Sequence, residues 1–472
     1  MPRIAMIGAG SVIFCKTLMM DIMATDGLED STFVLMSRTE PKLRRMEAFA
    51  KEVVEENRLP ATIEATTDLR KSVEGADYVI VMIQVGGVDA FQIDYEIPLK
   101  YGVDQCIGDS MGPGGIFRAL RTIPVLMDIA KAMKELCPDA FLLNYANPMA
   151  ANCWALGTVS GLQFVGLCHG VQTTMDLIAG YVGVPKAEID FLCAGINHMA
   201  WFLSLKHRGI DLYQILREKF EKPEYYVNEK VRGEVFRHFG YFMTESTGHL
   251  SEYVPWFRSS KKKLDLYCDQ PDFGGASGAY YKYCRMLADK FEKTDLLSVE
   301  SKKLAPRSAE YCSSIIEARE TNKIFRFNGN IRNDGLITNL PDGCCVEVPI
   351  FVDGVGLHPT RVGNLPAQCA ALNMSNVVVQ GLAVEAALTG NPETVVQAVA
   401  LDPLTSAVCT LKEAREMTKE LLDAEAQWLP QFAGKTLVSK PEIPIPPDTV
   451  PAEVPLDPAL AIANRFGMLA QL

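Results

Sequence analysis

Cys168, in Gly166-Leu-Cys-His169, and His198, in Gly195-Ile-Asn-His-Met199, offer a thiolate and an imidazole about thirty residues apart. Two protein ligands leave coordination places for substrate oxygens and water, which is the open arrangement a catalytic metal needs. The same residue types also serve as satisfied core side chains, so the pairing alone leaves both readings open. A second constellation is the Gly8-x-Gly10 turn followed by Ser11, between an apolar run and a helical one. Such a turn lets the backbone approach a pyrophosphate, whose charge then lies at the positive end of the helix. Ile13 stands where the usual third glycine would be. At the end of the second apolar run, where an acidic residue normally holds the ribose hydroxyls, the chain reads Ser37-Arg38. An arginine there accommodates a 2′-phosphate, or is an ordinary solvated loop residue. A third constellation opens at Asp109 and runs through Gly112-Pro-Gly-Gly115 to Arg118 and Arg121. It reads either as a loop over substrate or cofactor phosphate, or as a flexible turn followed by a solvated basic helix face.

The elements that must position these residues follow from the hydrophobic pattern. Apolar runs predict strands at 4–7, 32–36, 61–65, 78–83, 140–143 and 163–167, with helices at 12–23 and 41–56. Strands alternating with helices imply a doubly wound parallel sheet, and ligands of such sheets bind beyond the carboxyl ends of the strands. Asn144-Tyr-Ala-Asn147-Pro148 and Cys168-His169 both sit just past such ends. From about residue 190 the alternation weakens into longer helical stretches and antiparallel-looking strands at 191–205 and 344–352. The expected organisation is therefore an α/β chain: a Rossmann-like dinucleotide-binding domain over 1–188, an α+β substrate and metal domain over 189–435, and a proline-rich arm over 436–472.

Bulk properties narrow the partners. At 472 residues the chain is too long for one ordinary core. Its net charge of −12 argues against nucleic acid or an anionic membrane surface and for a small-molecule substrate. No apolar run reaches roughly 18 residues, so no membrane span is expected. Thirteen cysteines, odd in number and irregular in spacing, fit reduced thiols and a cytoplasmic location rather than a disulfide framework.

Several longer blocks carry a resemblance. GAGS from Gly8, GPGGIFRALRTIP from Gly112, NYANPM from Asn144, GLCHGVQ from Gly166, CAGINHMAWF from Cys193, EYVPWF from Glu252 and RNDGLITNLPDGCCVEV from Arg332 together resemble glycoside hydrolase family 4. The blocks look closest to its bacterial α-galactosidase branch. The family is an exception to the two-carboxylate mechanism of most glycosidases. The resemblance implies a fold like that of lactate and malate dehydrogenases. It also implies NAD as cofactor, with NADP open because of Ser37-Arg38, and a divalent metal described for the family as manganese. The implied chemistry is transient oxidation of sugar C3, loss of the acidified C2 proton to a base, departure of the aglycone from C1, addition of water and return of the hydride.

By the same resemblance Cys168 and His198 ligate the metal, and Asn147 binds substrate together with Asp109 and Asn197. Gly8, Gly10, Ser11, Ser37 and Arg38 then hold the cofactor. His169 follows the metal cysteine and suits the acid that protonates the leaving oxygen. The C2 base falls in the region of His249 and Tyr253, with Tyr253 first. The family resemblance also implies a homodimer or homotetramer. One departure bears on the sugar: Cys-His-Gly170-Val171 resembles the α-glucuronidases of the family, where its α-galactosidases read Cys-His-Ser-Val. The readings in order are an α-galactosidase, a uronidase or α-glucosidase of the same family, a 2-hydroxy-acid dehydrogenase, and a non-catalytic nucleotide-binding protein.

Overall fold

Ile4 and Met6 of the first strand pack into one hydrophobic core and Ala5 and Ile7 into another, which is why this strand is apolar throughout instead of alternating. The computed structural model describes residues 1–294, 296–455, 457–459, 462 and 466. In it β1 (Arg3–Ile7), β2 (Thr32–Met36), β3 (Thr62–Thr66), β4 (Tyr78–Val81), β5 (Phe141–Asn144) and β6 (Gln163–Gly166) form a parallel array ordered β3-β2-β1-β4-β5-β6. That order is the doubly wound dinucleotide-binding topology, with a crossover reversing direction at β1. The helices between strands are α1 (Val12–Met23), α2 (Glu40–Glu56), α3 (Leu69–Val73), α4 (Gly87–Lys100), α5 (Gly112–Leu136), α6 (Met149–Gly157) and α7 (Gly170–Val182). Leu18 and Ile22 of α1 and Met46 and Phe49 of α2 cover one face of the sheet. Leu126, Ile129 and Met133 of α5 cover the other.

The sheet continues beyond β6 with reversed strand sense. β7 (Asp190–Ile196), β8 (Met199–His207), β9 (Ile210–Asp211), β10 (Phe325–Arg332), β11 (Cys345–Val352) and β12 (Leu357–Pro359) add antiparallel pairs, with β10 joining β6 through Asn330 and Gly166. The run expected as one long strand over 191–205 is a hairpin, β7 and β8, because Asn197 and His198 turn the chain with Ile196 opposite Met199. Hydrophobicity is unbroken across that turn, so periodicity alone could not find it.

Met1–Thr436 form one compact unit and Leu437–Leu472 another. In the second unit, residues 437–455 contain neither helix nor strand, with one turn where Thr449 N donates to Pro446 O. Helix Ala367–Thr389 is long and apolar enough by composition to cross a membrane, although half of its most apolar window is buried inside the protein. Its amides have internal partners: Asn373 accepts from Trp201 Nε1 and donates to Met199 O, and Asn376 donates to Tyr253 O. These bonds tie the helix to β8 and to the helix that carries Tyr253. All thirteen cysteines are free thiols, ten of them buried.

Candidate active site

His198 is the second residue of the β7–β8 turn and has φ +63°, a left-handed conformation that non-glycine residues rarely adopt. Its position depends on Gly195, where φ is +159° and a Cβ would lie 2.5 Å from Met199 O. A turn held this tightly fixes the imidazole. Helix Thr247–Tyr253 brings up the partners. Tyr253 Oη lies 3.1 Å from His198 Nδ1, and the His198 and His249 rings are 4.6 Å apart between centroids. Glu245, just before that helix, has Oε2 3.2 Å from His249 Nδ1 and Oε1 3.9 Å from His198 Nε2. Ligand atoms of His198, Glu245 and His249 all lie within 4.8 Å of one another.

Burial and charge set the protonation states of this cluster. Burial pushes the Glu245 pKa up, but His198, His249 and Arg232 outweigh it and hold the carboxylate at about 2. Burial pushes His249 down, and its bond to Glu245 with the charges of Glu245, Glu252 and Asp109 lifts it to about 9. His198 is dominated by burial and falls to about 4, so it stays neutral and has a lone pair for a metal. Burial, with Glu245 and Asp109 nearby, pushes the Tyr253 phenol well above its ordinary value.

A loop from Gln105 to Asp109 forms the second wall. Glu252, from the same helix as His249 and Tyr253, accepts from Cys106 N at 2.7 Å, Ile107 N at 2.6 Å and Gly108 N at 2.9 Å. That cradle places Asp109, whose Oδ2 accepts from Asn147 Nδ2 at 2.9 Å and whose Oδ1 accepts from Ser110 Oγ at 2.7 Å. Burial raises the Asp109 pKa, but Arg118, His249 and His198 overcome it and hold the group below the ordinary range. Arg118 donates from Nε to Asn147 O, while its buried Nη1 has no hydrogen-bond partner among the described residues. His249 Nε2 also lacks one, with Asp109 Oδ1 3.8 Å away. Unpartnered donors converging beside a carboxylate are what an enclosed polyol ligand would satisfy. Neither arginine of the glycine-rich segment lies on a solvated face. Arg121 is fully buried between Asp94 and Glu425, with Nη1 2.7 Å from Glu425 Oε2, and serves the packing of α5.

Cys168 follows β6. Burial pushes its thiol well up, Glu347 and Glu245 add to that, and the Asn197 side chain works against it. His169 is half exposed, with Nδ1 3.4 Å from Glu310 Oε1, and this contact raises its pKa against the effect of burial. At the carboxyl end of β1, in the middle of the parallel array, Gly8 N and Ala9 N both donate to Met36 O at 2.9 Å. Gly8 has φ +95°, and a Cβ there would lie 2.6 Å from Met82 O. This turn therefore has the close backbone approach a pyrophosphate requires, and the Ser11 side chain does not cap the α1 amides that follow. The donor chemistry likewise suits a divalent ion: a neutral imidazole and a carboxylate close together, with a half-buried thiol nearby.

The family models for the family 4 glycosyl hydrolase and for its C-terminal domain match residues 3–184 and 193–405. The chain belongs to the family 4 glycosyl hydrolases. Two proteins named alpha-galactosidase are each 41% identical to it. The one from Rhizobium meliloti (strain 1021) aligns over 91% of this chain and 90% of its own length. The one from Bacillus subtilis (strain 168) aligns over 92% and 100%. An alpha-galacturonidase from Thermoanaerobacterium saccharolyticum is 30% identical over 77% of this chain and 83% of its own. Among solved structures, lplD from Bacillus subtilis superposes with a TM-score of 0.79 at 27% identity, covering 89% of this chain and 99% of that one.

Set in family 4, the sequence-expected residues fall into two groups. His198, His249, Tyr253, Asp109, Asn147, Asn197 and Cys168 converge beyond the sheet, and His169 is near enough for its charge to act on His198. Gly8, Gly10, Ser11, Ser37 and Arg38 line the β1–α1 turn and the end of β2. Sequence reasoning missed Glu245, Glu252, Glu310 and Glu347. A signal existed for two of them, since Glu245 precedes His249 by four residues and Glu252 follows it by three. Glu347 had none: it sits mid-strand in β11 opposite Gly195, and burial, with Glu245, raises it to about 8.

Proposed function

We propose that this family 4 chain hydrolyses α-galactosides by transient oxidation at sugar C3, with a nicotinamide dinucleotide and a divalent metal as cofactors. What carries this reading is the 41% identity, across nearly the whole chain, to two proteins named alpha-galactosidase. When bound, the nicotinamide supplies a hydride acceptor at C3 and the divalent ion, manganese by family resemblance, supplies a Lewis acid for the oxygen formed there. Cys168 and His198 hold the ion, with Glu245 as a further donor beside them. The Gly8–Gly10 turn and the start of α1 hold the pyrophosphate.

The proton transfers belong to the side chains. Tyr253 removes the proton from sugar C2, and His169, with its pKa raised beside Glu310, protonates the leaving oxygen at C1. His249, lifted to about 9, is protonated at neutral pH, and the Tyr253 phenol, raised by burial, needs a neighbouring donor to act as the base. His198 Nδ1 lies 3.1 Å from the Tyr253 oxygen, and in the tautomer protonated at Nδ1 it donates there, easing formation of the phenolate. Asn147, Asp109 and Asn197 orient the hydroxyls. Water then adds at C1 as the two residues move protons in the opposite sense.

A second reading is an α-galacturonidase, favoured by the buried Arg118 with its unpartnered Nη1, a group suited to a sugar carboxylate. The test compares 4-nitrophenyl α-galactoside, α-galacturonide and α-glucoside with each nicotinamide nucleotide, Mn²⁺ and a thiol reductant. Cleavage of the galactoside is expected only with all three present, and in heavy water deuterium enters C2. Full-rate hydrolysis by stripped protein sinks the mechanism, and faster cleavage of the galacturonide shifts the substrate to the second reading.

A further inference from the structure

We infer that the dinucleotide this chain binds carries a 2′-phosphate, seated by Ser37, Arg38, Thr39 and Lys42. The inference rests on the dinucleotide reading above and goes beyond it by choosing the cofactor. Because Met36 O accepts from Gly8 N and Ala9 N, residue 37 is the first position past β2 and lies directly beside the glycine turn. The space off Gly10 confirms the placement: a Cβ built there lies 3.2 Å from Ser37 Oγ and 3.4 Å from Lys42 Cβ. The Ser37 hydroxyl and the Lys42 stem thus flank the turn where the adenosine half of a dinucleotide rests.

Three observations set the ligand chemistry at this spot. A carboxylate at position 37 would accept from a free ribose 2′-hydroxyl and repel a phosphate, whereas a serine hydroxyl donates to phosphate. Arg38 and Lys42 are both exposed, and neither has a hydrogen-bond or ion-pair partner among the described residues. The acidic groups nearby are engaged elsewhere: Glu40 with Arg44, Glu64 with Arg3, and Asp68 in capping α3. The third observation is the α2 terminus. The Thr39 side chain makes no capping bond, and Thr39 N is instead held by Ser37 Oγ at 3.2 Å. The positive end of a 17-residue helix therefore lies beside Ser37 and the two cations, with Pro41 in its first turn supplying no N–H. A 2′-phosphate brings a charge of about −1.5 to −2, which two cations and a helix start match better than a neutral hydroxyl.

The test is calorimetric titration of the full chain with NADP⁺, NAD⁺, adenosine 2′,5′-bisphosphate and AMP, with no glycoside present. NADP⁺ is expected to bind roughly tenfold or more tighter than NAD⁺, and the bisphosphate to exceed AMP by a similar ratio, with both gaps shrinking as salt is raised. The double variant Arg38→Ala with Lys42→Ala should bring NADP⁺ to the level of NAD⁺ while leaving NAD⁺ affinity as it was, which also shows that the variant is folded. Ser37→Asp should reverse the preference. NAD⁺ binding as tightly as NADP⁺ in the unaltered protein overturns this inference and leaves the dinucleotide reading standing. Failure of both dinucleotides to bind overturns the two together.

Discussion

Replacing Glu252 with glutamine probes the joint between the two walls of the site. Glu252 Oε1 accepts from Cys106 N and Ile107 N, and Oε2 from Gly108 N at 2.9 Å and Gln105 Nε2 at 3.1 Å. Glutamine keeps one oxygen and turns the other atom into a donor facing donors, so up to two buried N–H groups lose their acceptor. Each unsatisfied group costs about 1–3 kcal/mol, so the variant should be about 2–6 kcal/mol less stable. An unfolding entropy of about 2 cal/mol/K per residue over residues 1–436 converts this into a fall in Tm of about 2–6 °C. Burial, partly offset by His249, Arg258 and the loop amides, raises the Glu252 pKa. The loop also sets Asp109, and a displacement of about 1 Å there should lower kcat/KM about a hundredfold. Scanning calorimetry and a galactoside cleavage assay read the two effects, with dinucleotide affinity as the control that stays fixed. An unchanged Tm together with an unchanged rate would refute the claim that this cradle positions Asp109.

Two further outcomes follow from buried carboxylates. Glu245→Gln removes the acidic donor between His198 and His249 and should weaken Mn²⁺ binding about 10–100-fold, with activity regained at higher metal concentration. A metal titration that superposes on the parent would exclude Glu245 from the metal site. Asp402 accepts from Gly112 N and from Thr405 N and Oγ, but burial is the larger effect and raises its pKa from 3.8 to about 6. A raised folded-state pKa means stability that is full below 3.8 and is lost as pH rises through about 6. Asparagine does not titrate, so Asp402→Asn should cost roughly 1 kcal/mol less at pH 7.5 than at pH 5. Equal costs at both values in urea unfolding would show that Asp402 is not strained by ionisation.

The first 166 residues were the most legible part. Apart from the edge strand β3, their strands are largely buried on both faces, so each appears as a short apolar run, and the helix at 12–23 matches α1 residue for residue. Short-range signals also exposed the glycine turn and the pair Cys168 and His198, while His169, His249 and Tyr253 came from the family resemblance. Arg118 and Arg121 show where the method stops. A basic pair on a helix reads as solvated until Asp94 and Glu425, 27 residues before Arg121 and 304 after it, arrive to bury one of them.

By itself the sequence determined the parallel array, the dinucleotide turn and the residue types able to bind metal and move protons, since these depend on hydrophobic period and on side-chain chemistry, both local. Only the tertiary structure decided that His198 occupies a left-handed hairpin turn, that Glu245 stands between two histidines, and that Glu252 pins the loop bearing Asp109. Protonation followed the same division. His198 is drawn down to about 4 and His249 up to about 9 because burial and neighbouring charge act through space, and no spacing along the chain encodes that distance.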